Sequence, residues 1–203
     1  KSEFMNRIKK IMDDAGVMVL ADTWLAGGFV SKERCVLVPE DAKGLKFRVM
    51  ASDVLVAQFE QLGASPQKMS FKEVYGGLQT KVIDGQENSW SNIYGKKFFE
   101  VQKAIMLTGH IVDGLTTQIA PHVWNRLSDA EKKVFTDVTQ EAAVRATAKI
   151  KAREAELVDE FKKKGLQVVQ VDRKSFQDAV LKNKPLESMG FTKADFDKIQ
   201  AAK

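Results

Sequence analysis

Apolar positions fall in short groups separated by Gly, Pro and polar turns, and their spacing switches between helical and strand periods. Asn6–Asp14 reads as the end of a helix, with Ile8, Ile11 and Met12 on one face and Gly16 just beyond it. Val17–Ala21 suits a buried strand, Trp24–Gly28 a loop broken by Gly27-Gly28, and Pro39–Gly44 a polar turn. Lys46–Met50 then alternates like a strand. Ser52 or Asp53 can cap a helix through Gln61 whose apolar face is Val54, Leu55, Phe59 and Leu62, with Gly63 as its stop.

A short strand is expected over Gln67–Met69. Ser70 and Glu73 then form a capping box that opens a helix carrying Val74, Leu78 and Thr80. Lys81–Asp84 reads as the next strand and Gly85-Gln86-Glu87-Asn88 as the loop after it. Strands alternating with helices through short connections predict parallel pairing in an α/β sheet. Ligands of such sheets sit at the carboxyl ends of the strands, where Arg48 and the 85–88 loop both fall. Lys96–Lys103 is expected to be helical and His110–Ala120 extended.

A second capping box, Ser128 with Glu131, opens the longest element, since no Gly or Pro follows until Gly165. At 1.5 Å per residue such a helix spans roughly 50 Å, more than the ~30 Å of a small domain, and reads as a strut across two lobes. Its apolar stripe is Val134, Val138, Ala142, Ala146, Ile150, Leu157 and Phe161. Leu166–Val171 is a closing strand and Thr192–Gln200 a terminal helix capped by Thr192.

Composition narrows the function classes. A chain of 203 residues with 44% apolar residues supports one or two domains with a sizeable core. No uncharged apolar run approaches the ~18 residues of a membrane span. The single Cys35 excludes an internal disulfide framework and a cysteine-based zinc site. The net charge of +5 is spread over interleaved acids and bases, as in Lys151-Ala152-Arg153-Glu154, and offers no concentrated basic face for nucleic acid.

Catalytic signatures are absent. His110 and His122 lie 12 apart with no Asp/Glu/Cys cluster at metal-ligand spacing, and neither a G-x-S-x-G elbow nor a phosphate-binding Gly-rich loop occurs. Binding chemistry has more support. Arg48 ends an apolar strand, and a guanidinium matches a carboxylate bidentately. The stretch from Gly85 to Asn92 gathers amides, a carboxylate and the Trp90 indole on one turn.

Six segments in order carry a resemblance. They are Gly44-Leu45-Lys46-Phe47-Arg48-Val49, Leu62-Gly63-Ala64-Ser65-Pro66, Met69-Ser70-Phe71-Lys72-Glu73-Val74-Tyr75, Leu78-Gln79-Thr80, Asp84-Gly85-Gln86-Glu87-Asn88 and Phe98-Phe99-Glu100-Val101-Gln102-Lys103. Together they resemble the DctP-type substrate-binding proteins of TRAP (tripartite ATP-independent periplasmic) transporters, from about Val17 to Phe161 and more weakly to the end. Trp90-Ser91-Asn92-Ile93-Tyr94 is most similar to the branch associated with C4-dicarboxylates.

The resemblance implies an α/β, two-lobed periplasmic-binding-protein clamp of type II-like architecture with a long lobe-spanning helix, here without its N-terminal part. Residues 1–23 and 113–153 would be the remainder of lobe I, and 24–112 with 154–203 lobe II. It implies that Arg48 pairs with the ligand carboxylate, Asn88 contacts the same group, Phe71 packs on the ligand, and Trp90 and Ala51 lie at the site. It further implies a periplasmic protein that captures a small organic acid, serves TRAP membrane subunits, needs no cofactor or metal, inserts in no membrane and catalyses nothing. One departure concerns the ligand. Many relatives carry a second arginine soon after the tryptophan matching Trp24, whereas Leu25-Ala26-Gly27-Gly28-Phe29-Val30 holds no cation. An α/β enzyme acting on a carboxylate and a ligand-sensing domain are the alternative readings.

Overall fold

The computed structural model describes residues 3–31, 34–183 and 192–201. The chain divides into two compact units, the first comprising Lys1–Leu25, Asp113–Ala152 and Thr192–Lys203, the second Ala26–Val112 and Arg153–Phe191. Three elements run through both ranges: strand β1 (Met18–Ser31), strand β5 (Ala104–Ile119) and helix α6 (Asp129–Lys163). The first unit adds α1 (Glu3–Asp14), α5 (Pro121–Trp124) and α8 (Lys193–Ala201). Sequence reading assigns 192–203 to the other lobe. In the structure α8 joins α1 through the ion pairs Arg7–Asp195 and Lys198–Glu3.

The second unit holds β2 (Lys46–Val49), α2 (Asp53–Gln61), β3 (Ser65–Lys68), α3 (Val74–Gln79), β4 (Gly85–Asn88), α4 (Trp90–Gly95), β6 (Gln167–Gln170) and α7 (Arg173–Asn183). Its six strands lie in the order β3-β2-β4-β1-β5-β6. Strand β2 runs parallel to both β3 and β4, β4 antiparallel to β1, and β5 parallel to β6.

Strand alternation sends side chains to two separate cores. Phe47, Val49, Ala104 and Met106 join Leu55 and Phe59 of α2 on one face. Ile105 joins Val74, Leu78, Trp90, Ile93, Leu157 and Phe161 on the other, so that α3, α4 and the C-terminal part of α6 cover that side. Arg48, flanked by Phe47 and Val49, points to the second face.

Local signals explain most boundaries. The Ser52 hydroxyl accepts from the Leu55 N–H, and Gly63 closes α2 at φ +73°. Ser128 and Glu131 make both halves of their capping box, at 2.8 and 3.3 Å. Thr192 accepts from the Asp195 N–H at 3.1 Å.

Several expectations are corrected. Trp24–Gly28 is not a loop: β1 continues through it, and Gly28 pairs with Asn88 in the β1–β4 ladder. Lys81–Asp84 is not a strand, because these residues close α3. Val82 N–H donates to the Gly77 carbonyl at 2.9 Å and Lys81 turns at φ +62°. The strand begins after Asp84, so Gly85–Asn88 is β4 rather than a loop. Lys96–Lys103 is not a helix: α4 ends at Gly95, Lys97 adopts φ +56°, and only a 3-10 turn follows at Phe98–Glu100. The apolar stripe of α6 is buried at Leu157 and Phe161, half-buried at Ala146 and Ile150, and exposed before them. Val134 and Val138 are 60% and 57% exposed, and Ala143 is buried where Ala142 is not. Val54 and Ile11 likewise face outward.

Candidate functional site

Because β3, β2 and β4 are mutually parallel, their carboxyl ends emerge at one edge of the sheet of the second unit. Arg48 sits one residue from the end of β2, in register with Gln67 on one side and Gln86 on the other. It is 4% exposed. A buried guanidinium requires partners, and its Nε donates to the Met69 carbonyl at 2.9 Å. That carbonyl belongs to the turn after β3, so the bond fixes the plane of the fork. The two Nη groups lie at the other end of that plane. Burial lowers the Arg48 pKa from its ordinary value, and the charge of Glu87 acts in the opposite direction. The guanidinium remains cationic.

The same turn supplies Phe71, whose ring centroid lies 5.7 Å from Arg48 Cζ and 5.9 Å from Lys96 Nζ. Its edge-on contact with Phe98, at 5.9 Å and 75°, holds it in place. A half-buried aromatic between two cations presents an apolar wall beside a charge.

Strand β4 contributes polar groups that are buried although nothing apolar marks them. Gln86 is fully buried and Glu87 is 4% exposed. Asn88 ends the strand on the same face as Gln86, to whose Oε1 its Nδ2 donates at 3.3 Å. Asn92, one turn into α4, donates through Nδ2 to Asn88 Oδ1 at 2.7 Å. Ser89 caps α4 by accepting from the Asn92 N–H. Trp90 is buried in the core against Val74, Ile93 and Phe98. Ala51 lies exposed in the bend after β2.

The five residues implied by the resemblance thus all lie in the second unit, on β2, β4 and the segments that follow β2, β3 and β4. Arg48 and Phe71 are in direct contact; Asn88 is joined to the strand beside Arg48 through Gln86. Trp90 packs into the core rather than standing open, and Ala51 has no recorded contact with the others. Gln86, Asn92 and the Met69 carbonyl complete the arrangement. A polar strand leading into a polar helix start was the only sequence signal for them. Leu25–Val30, the stretch without a second cation, is in β1.

Other candidate chemistry is not assembled. Among the described residues no three His, Cys, Asp or Glu side chains cluster as metal ligands, and no helix is long and apolar enough to cross a membrane. His110 lies 2.7 Å from the Thr108 hydroxyl and edge-on to Phe59. Cys35 donates to Gln167 Oε1 at 3.2 Å.

Residues 1–188 match the model of the DctP family, described as bacterial extracellular solute-binding protein, family 7. Over 119 residues the chain is 55% identical to the C4-dicarboxylate-binding periplasmic protein DctP of Vibrio cholerae, which covers 59% of this chain and 36% of that protein. The chain therefore spans little over a third of that curated relative. A TRAP periplasmic solute-binding protein from Polaromonas sp. JS666 bound to D-erythronate superposes with a TM-score of 0.90 at 34% identity, covering 100% of this chain and 68% of that one. Another from Shewanella oneidensis, with bound succinate, gives 0.88 at 32% identity and the same coverage.

Proposed function

The chain belongs to family 7 of the bacterial extracellular solute-binding proteins, the DctP family, and on that premise we propose that it captures a small organic acid in the periplasm and passes it to the membrane subunits of a TRAP transporter. The observation that carries this reading is Arg48: a cation, 4% exposed, held in plane by one backbone carbonyl at the carboxyl ends of parallel strands. A carboxylate accepting from its Nη groups would supply the opposite charge that burial demands. Asn88 adds an amide donor and Phe71 an apolar wall. Trp90 supports the turn that carries Asn88, and Ala51 lies exposed in the bend after the strand of Arg48. The two compact units are read as the family's two lobes.

The protein performs no reaction in this reading. Arg48 and Asn88 donate and Phe71 packs; none of the three is a nucleophile or a base at neutral pH. The absence of a cation in Leu25–Val30 favours an acid whose far end is hydroxylated or uncharged over one with two carboxylates. D-Erythronate, seen in the Polaromonas relative, has that character, and succinate is the contrasting probe. Titration calorimetry with both acids tests the proposal. Binding of either, lost in Arg48→Ala, supports it; turnover of a bound acid would favour an enzyme instead.

A further inference from the structure

The donors and acceptors of β4 and α4 form a chain with a direction. Asn92 Nδ2 donates to Asn88 Oδ1 at 2.7 Å, and Asn88 Nδ2 donates to Gln86 Oε1 at 3.3 Å. Gln86 is fully buried, and its own Nε2 has no hydrogen-bond partner among the described residues. Its Oε1, by contrast, is engaged by Asn88, so that Gln86 presents an acceptor to Asn88. Gln86 pairs in register with Arg48, and Asn88 lies two residues further along the same face.

An amide can donate or accept, and only its surroundings decide which side it presents. With Oδ1 occupied by Asn92, Asn88 keeps one Nδ2 hydrogen beyond the one given to Gln86. We propose that Gln86, Asn88 and Asn92 form a one-way amide relay that fixes Asn88 as a donor to the ligand's carboxylate, with Asn92 and Gln86 as positioning residues. That spare N–H meets a group that accepts, as both oxygens of a carboxylate do, and adds to the charge of Arg48. Neither Asn92 nor Gln86 needs to touch the ligand for this.

This inference rests on the binding reading above, and the test separates the two. The protein is expressed with whatever flanking sequence its gene encodes, and titrated with succinate and D-erythronate. Asn88→Ala should weaken binding about tenfold, the worth of one hydrogen bond to a charged group. Asn92→Ala should weaken it about threefold to tenfold when Asn88 is present and less than about twofold in the Asn88→Ala background. Asn92→Asp can only accept from Asn88 and so reverses the relay. It should weaken binding more than Asn92→Ala, and most of that excess should vanish in the Asn88→Ala background, which leaves only the added charge. Gln86→Met should likewise lose its effect once Asn88 is absent. Additive losses in these cycles would overturn the relay while leaving the site intact. An Arg48→Ala variant that binds like the wild type, or a wild type that binds neither acid, would overturn the reading beneath it. Asn92→Ser, with thermal unfolding of each variant, checks that the losses are not those of a damaged fold.

Discussion

His110 offers a prediction whose size follows from its surroundings. It stands on β5 with Nδ1 2.7 Å from the Thr108 hydroxyl and its ring edge-on to Phe59 at 6.2 Å. Arg173 of α7 lies close by, donating to the Gly109 carbonyl at 2.9 Å. Burial, and secondarily the positive charge of Arg173, push the imidazole pKa from 6.5 down to about 4. In the unfolded chain the ordinary value returns. Between pH 6.5 and about 4 the unfolded state therefore binds a proton that the native state refuses. Stability from this residue is complete above pH 6.5 and falls as the pH drops through that window. A gap of roughly 2.5 pH units corresponds to about 3 kcal/mol as an upper bound, since part of the residue is accessible to solvent. The perturbation is His110→Gln, which keeps a polar side chain and removes the titration. The assay is urea unfolding at pH values from 7.5 to 4, with the difference between the two proteins plotted against pH. The variant loses packing at every pH, but its curve should be flatter on the acid side by about 1–3 kcal/mol. Parallel curves would refute the reasoning, because they would show that His110 titrates alike in both states.

Two further outcomes are expected. In Gly77→Ala the new methyl would lie 3.2 Å from both Ile83 Cγ1 and Met69 Sδ. Crowding of about 1–3 kcal/mol exceeds the ~0.5–1 kcal/mol gained from replacing a helical Gly, leaving a net loss of about 1 kcal/mol in chemical unfolding. Because Met69 also holds Arg48 through its carbonyl, acid binding in that variant should weaken as well. Phe161→Ala empties a fully buried position facing Tyr94 and Phe99 and should cost about 3–5 kcal/mol, read as a lowered urea midpoint with the slope unchanged.

What was legible in the sequence was whatever chain punctuation or hydrophobic period imposes. Ser52, Ser128 and Thr192 cap helices where their spacing indicates, and Phe47, Val49, Leu55 and Phe59 bury as their alternation requires. The errors share a cause. Gly85–Asn88 is a strand with no apolar side chain, so no hydrophobic signal announces it, while the apolar Val82 and Ile83 beside it are spent on closing a helix. Gly27 and Gly28 look like breakers, but β1 runs through both and its ladder with β4 begins at Gly28. Two residues beyond the end of α4, Lys97 turns left-handed at a position where no Gly or Asn stands. Arg48 and Asn88 stood out as polar groups at strand ends. Gln86 and Asn92 stood out only as two of the amides of the 85–92 stretch, because their hydrogen bonds to Asn88 join a strand to the helix after it.

The central claim is that Arg48 receives a carboxylate. Titration calorimetry of the wild type and Arg48→Ala with D-erythronate and succinate tests it most directly. Removing the guanidinium leaves a desolvated carboxylate without its counter-charge, so the account predicts a loss of about 2–5 kcal/mol, or roughly thirtyfold to several-thousandfold in Kd. Binding by Arg48→Ala within twofold of the wild type would contradict it.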